Sequence, residues 1–92
     1  MKEKIRVAAT FYGFVQGVGF RYTATYTASA LGLTGWVRNE YDGSVSSEVQ
    51  GERERIQQWI KTLSSGRFIR IDSIDTREIA VDPDERSFDV RY

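Results

Sequence analysis

Ile5, Val7, Ala9 and Phe11 alternate with Arg6, Ala8, Thr10 and Tyr12, the period of a half-buried strand. From about Arg21 to Leu31 the period changes. Ala24, Ala28 and Leu31 fall at i, i+4 and i+7, with Phe20 one turn before Ala24, so one helical face is apolar. Gly32 is placed to end this helix. Thr23, Thr25 and Thr27 are weak helix formers, which leaves packing rather than propensity to hold it. "LTGWVRN" (33–39) and "SVSSEVQ" (44–50) read as two strands, and Asp42-Gly43 between them is a hairpin signal. Ile56, Trp59, Ile60 and Leu63, at i, i+3, i+4 and i+7, mark a second helix. "ERER" (52–55) is its solvated first turn, and Ser64, Ser65 and Gly66 close it. "RFIRIDSIDTREI" (67–79) reads as a further strand whose apolar parity changes between Ile71 and Ile74, which predicts a bulge or a late start near Ser73. Phe88, Val90 and Tyr92 alternate in a short last strand.

The order is β-α-β-β-α-β plus one short C-terminal strand. Two helices covering one face of an antiparallel sheet is the α+β, ferredoxin-like sandwich. No repeat, low-complexity tract or linker interrupts the pattern, and the only proline, Pro83 in "VDPDERS", suits a surface turn. Residues 1–92 therefore read as a single domain. The fold hosts many unrelated activities, so function has to be argued from a site.

Charge and composition narrow the chemistry. Lys plus Arg is 13 and Asp plus Glu is 13, for a formal net charge of zero, unlike the basic footprint of a nucleic-acid binder. There is no cysteine and no histidine. A histidine base, a phosphohistidine, a Ser-His-Asp triad, a disulfide and the usual zinc sites are all excluded within the chain. "MKEKIRVAATFYG" lacks the apolar core of a signal peptide, and no apolar run reaches the length of a membrane span. The expectation is a cytoplasmic protein without a membrane partner. No apolar surface stripe calls for a protein partner, so a monomer is expected.

"GFVQGVGFR" (13–21) stands between the first strand and the first helix. Exposed N–H groups and the positive end of a dipole collect at a helix N-terminus. Gly17 and Gly19 can adopt φ > 0, which lets successive N–H groups curve round an anion. Arg21, at the helix start, can fold its fork over two phosphate oxygens. A cation there is electrostatically misplaced unless something negative lies nearby. No Gly-Lys-Ser/Thr follows, so this is not a Walker A loop, nor is it a G-x-G-x-x-G fingerprint. On its glycines alone the loop reads equally well as a flexible connection with a surface arginine.

"GFVQGVGFR" together with "LGLTGWVRNEYDGSV" and the following "QG", at this spacing, resembles the acylphosphatase family, and the resemblance runs through the terminal "SFDVRY". It implies the same sandwich and an activity: hydrolysis of the carboxyl–phosphate bond of acyl phosphates, without metal or other cofactor. It implies that backbone amides of Gln16, Gly17, Val18, Gly19, Phe20 and Arg21 hold the phosphate. Arg21 is then the phosphate clamp, and Asn39, ending "GWVRN", positions the attacking water. Without the resemblance Asn39 reads as a strand-end asparagine. Ser47 departs from the family, which usually has an apolar residue there; lying between Val45 and Val49, its hydroxyl needs a partner or a water.

Such chemistry does not need the missing histidine. The leaving group is a carboxylate with a pKa near about 4, able to depart unprotonated. Phosphoryl transfer is mostly positioning and stabilisation of charge on the equatorial oxygens. The Asn39 amide is too weak a base to deprotonate water beforehand, so the proton leaves late.

A non-catalytic anion-binding or regulatory module could use the same loop, and similar domains begin larger hydrogenase-maturation proteins, although this chain reads as self-contained. "DSIDT", with Asp72, Asp75 and Thr76, lacks the D-x-D-x-T spacing of aspartyl-phosphate enzymes and suits a solvated strand face. "YGFV" (12–15) echoes an RNA-binding signature but lies on the wrong strand of a neutral chain. Trp59 is expected in the core, Trp36 partly exposed, and Tyr22 and Tyr26 in contact one turn apart.

Overall fold

The computed structural model describes residues 3–92. Met1 and Lys2, the start of the stretch in which no leader is expected, lie outside the described residues. The elements are β1 (Lys4–Phe14), α1 (Phe20–Ala30), β2 (Thr34–Asn39), β3 (Val45–Glu52), α2 (Arg53–Ser64), β4 (Arg70–Ile79) and β5 (Phe88–Arg91). Each expected element is present, with ends displaced by a few residues.

The five strands form one sheet in the order β4-β1-β3-β2-β5. Both helices bury their apolar faces on the same side of it. Ile5, Ala9 and Phe11 of β1 join Val37, Val45 and Val49 from β2 and β3 in the core, beneath Ala24, Ala28, Ile56 and Leu63. Four aromatic rings form its centre: Phe11 lies 4.9 Å from Phe20 and 5.8 Å from Trp59, and Trp59 lies 5.8 Å from Phe88. The Trp59 indole donates to the Ala24 carbonyl at 2.9 Å, so its one polar group is satisfied inside the core. Ser47 is buried as its parity requires, and its hydroxyl donates to the Trp36 carbonyl across the strands at 2.6 Å.

The sheet is not antiparallel throughout. β1–β3, β1–β4 and β2–β3 are antiparallel, but β5 runs parallel to β2. The reason is the connection. β4 ends with Ile79 opposite Arg6, at the start of β1. Residues 80–87 cross the same end of the sheet to its far edge, so β5 must start there and run with β2. The crossover is fastened from below. Arg6, only 4% exposed, places its fork on Glu85 at 2.8 and 3.1 Å and reaches Glu48 at 2.9 Å. The buried Gln50 amide donates to the Asp82 carbonyl at 2.9 Å and accepts from the Asp82 N–H at 2.7 Å.

Two local expectations are refined. The parity change in β4 is a bulge: Ser73 pairs with Tyr12 and Ile71 with Gly13, leaving Asp72 as the extra residue. Gly13 makes this possible, because a Cβ there would stand 2.3 Å from the Arg70 carbonyl oxygen. In the β2–β3 hairpin, Asp42 and Gly43 are not the two central residues. The Gly43 N–H bonds back to Glu40 at 3.2 Å, so Tyr41 and Asp42 occupy the centre and Gly43 follows with φ 91°, as in a type I turn with a glycine bulge.

Candidate active site

The loop between β1 and α1 is pinned by its apolar members. Val15 and Phe20 are buried, and Val18 packs against the core. Gly17 (φ 74°) and Gly19 (φ 80°) both take the left-handed conformation. A Cβ at either would touch nothing within 4 Å, so it is the backbone conformation, not crowding, that calls for glycine. Alternating handedness of this kind turns successive N–H groups toward one point. Among the described residues the N–H groups of Gln16, Gly17, Val18 and Gly19 donate to no backbone carbonyl. α1 begins with no side-chain cap and no acidic residue in its first turn. Its leading N–H groups, those of Phe20 and Arg21 among them, therefore add to the positive potential at the loop.

Arg21 occupies the first turn and is half-buried. Among the described residues no carboxylate pairs with it. Its guanidinium carbon lies 5.3 Å from the centroid of the Tyr92 ring, a cation–π contact that holds it without neutralising it. It rests beside the loop rather than hydrogen-bonded into it.

Asn39 ends β2, on the core-facing parity of Val37. It pairs with Val45, which in turn pairs with Phe11 near the end of β1. The side chain is thus set at the end of the sheet from which the loop departs. Its Oδ1 is buried without a hydrogen-bond partner. An open cleft of about 480 Å³ beside it is lined by Arg38, Asn39, Glu40, Tyr41 and Tyr92. Tyr92 is therefore a common neighbour of Arg21 and Asn39. It is 98% exposed, and nothing in the alternation of the last strand distinguished it as part of a site.

One side chain joins the two halves. Gln16 Nε2 donates to the Glu40 carbonyl at 2.7 Å and to the Ser44 carbonyl at 2.8 Å. The hairpin that carries Asn39 has its own fastenings. Arg38 Nε donates to Glu40 Oε2 at 2.9 Å, the Ser46 hydroxyl donates to the same oxygen, and the Ser44 N–H donates to Asp42 Oδ1 at 2.9 Å. The Ser46 bond, then the Arg38 bond, holds the Glu40 carboxyl below its ordinary range. Ser44 does the same for Asp42. Sequence reasoning placed Gln16 in the site for its backbone only, since the side-chain contacts span 24 and 28 residues.

The geometry is that of a small α/β sandwich with a glycine-turned loop at the end of its sheet, whose N–H groups lack backbone acceptors among the described residues, and the buried Asn39 oxygen at the same end. The family model for acylphosphatase matches residues 7–90. The acylphosphatase of Oceanobacillus iheyensis is 40% identical over 82 residues, spanning 87% of this chain and 90% of that one. The crystal structure of acylphosphatase from Bacillus subtilis superposes with a TM-score of 0.89 at 29% identity, covering 96% of this chain and 99% of that one. An acylphosphatase structure from Coxiella burnetii gives 0.87 at 35% identity, covering 96% and 93%. The chain belongs to the acylphosphatase family.

Proposed function

We propose that this acylphosphatase cleaves the carboxyl–phosphate bond of a small acyl phosphate by direct attack of water on phosphorus, releasing carboxylate and inorganic phosphate. The loop amides from Gln16 to Arg21 bind the phosphoryl oxygens. Arg21 swings from the Tyr92 ring onto two of them when the phosphate binds, and so already stands where charge develops in the transition state. The water donates one hydrogen bond to Asn39 Oδ1 and is thereby aimed at phosphorus. Its proton leaves late, to a phosphoryl oxygen, while the carboxylate departs unprotonated. Neither metal nor other cofactor enters the reaction, which the protein performs as a single-domain monomer in the cytoplasm, with no nucleic acid or membrane partner.

The observation that carries this reading is the pairing, among the described residues, of four loop amides that donate to no backbone carbonyl with a buried Asn39 oxygen that no donor reaches. Donors placed for an anion and an acceptor placed for water are the two requirements of a hydrolysis that depends on positioning. A binding module would need the first and not the second.

The two roles separate in kinetics. Arg21→Ala is expected to abolish most turnover and to weaken competitive inhibition by inorganic phosphate. Asn39→Ala is expected to lose at least ~10²-fold in kcat, the scale of removing one preorganised polar group, with phosphate inhibition nearly retained. Near-normal turnover in folded Arg21→Ala, or a phosphate affinity damaged more than kcat in Asn39→Ala, would contradict the assignment.

A further inference from the structure

We propose that the Gln16 side chain is a positioning residue that sets the distance and angle between the phosphate nest and the water held by Asn39. The proposal rests on the roles given above to the loop and to Asn39.

The nest and Asn39 come from different supersecondary units, the β1–α1 connection and the β2–β3 hairpin. Sheet pairing brings their elements together, but the loop itself lies beyond the last β1–β3 pair, Phe11 with Val45. Across that gap Gln16 spends both protons of one NH₂ group, on Glu40 O at 2.7 Å and Ser44 O at 2.8 Å. These two carbonyls form the neck of the hairpin. Ser44 O also accepts from the Glu40 N–H at 2.9 Å, and Glu40 O from the Gly43 N–H at 3.2 Å. A donor shared between them fixes the amide plane in two directions, as a single contact could not. At one end of the brace stands the Gln16 backbone, whose N–H opens the nest. At the other stands Glu40, the residue after Asn39.

Removing the brace leaves neither carbonyl without a donor, and it leaves the glycine conformations of the loop intact. The nest then still binds phosphate, but its register against Asn39 relaxes. Misplacement by about 1 Å can lower a rate ~10²-fold, so the loss falls on kcat.

The test is a double-mutant cycle with benzoyl phosphate as substrate and inorganic phosphate as inhibitor, in Gln16→Met, Asn39→Ala and the pair. Gln16→Met is expected to lose at least ~10-fold in kcat, with the phosphate inhibition constant within ~3-fold of wild type. In the Asn39→Ala background the same change is expected to lose less than ~3-fold, because residues acting as a unit are not additive. Gln16→Glu supplies an independent readout should Gln16→Met not fold. A protonated carboxyl retains one donor and a carboxylate none, so its kcat should fall as pH rises through the new carboxyl's pKa, relative to wild type. Unchanged kcat in Gln16→Met, equal losses in kcat and phosphate affinity, full additivity with Asn39→Ala, or a Gln16→Glu profile parallel to wild type would each overturn the brace. If Asn39→Ala alone keeps its kcat, the water assignment fails and the brace with it. If Asn39→Ala loses kcat and the cycle is additive, only the brace fails.

Discussion

Asn39 Oδ1 is the one buried side-chain oxygen or nitrogen without a partner among the described residues, whereas the Trp59 indole, the Ser47 hydroxyl, Gln50 and Arg6 all find theirs. A buried acceptor that no protein donor reaches, at the edge of an open cleft, is suited to a water or ligand atom rather than to holding the fold. Stability and activity should therefore move apart at this position. Asn39→Ala is expected to keep or slightly raise the thermal unfolding midpoint while its turnover collapses. A midpoint lowered by several degrees would mean that Asn39 holds the fold rather than the water. At this scale the sequence was informative where backbone chemistry is local. The two glycines of "GFVQGVGFR" foretold the left-handed turns observed at Gly17 and Gly19. It was silent on Tyr92 under Arg21 and on the reach of Gln16, because those contacts depend on where the far end of the chain and the hairpin neck arrive in space.

The β2–β3 hairpin carries Asn39 at its base, and two carboxylates fasten it. Glu40 and Asp42 both titrate below their ordinary values of 4.5 and 3.8, because Ser46 with Arg38, and Ser44, hydrogen-bond their ionised forms. A depressed folded-state pKa contributes stability that is complete above the unfolded value and is lost as pH falls through the folded one. The hairpin should accordingly hold from neutrality down to about pH 5 and loosen progressively below about pH 4. Amide hydrogen exchange at Glu40 and Gly43, whose N–H groups close the hairpin, is expected to show less protection relative to α2 as pH is lowered through that window, once intrinsic rates are divided out. Constant relative protection would remove these carboxylates from the account. The hairpin itself was legible from its flanking strands and the Asp42-Gly43 pair. Its turn type was not, since the side chains that settle it act across the neck. The bulge in β4 was likewise visible as a break in parity, but locating it at Asp72 required the register of β1.

For the molecule as a whole, hydrophobic period alone carried the sandwich and its core, because burial on one face of a sheet or helix imposes that period directly. What it could not carry was the direction of β5. Arg6 alternates with apolar neighbours and reads as solvated, yet it is buried under a crossover that begins more than seventy residues later, joined to Glu85 and Glu48. Charge pairs of that sequence separation leave no local trace. The same holds for chemistry. A neutral chain with neither histidine nor cysteine has few ways to be an enzyme, and the nest, Arg21 and Asn39 together suit one whose leaving group departs without help. The most direct test is the rate of benzoyl phosphate hydrolysis by the wild-type protein in excess chelator, beside p-nitrophenyl phosphate as a monoester control. Rapid, chelator-insensitive turnover of benzoyl phosphate with almost none of the monoester is the expected result. No turnover of either by folded protein, or turnover abolished by the chelator, would contradict it.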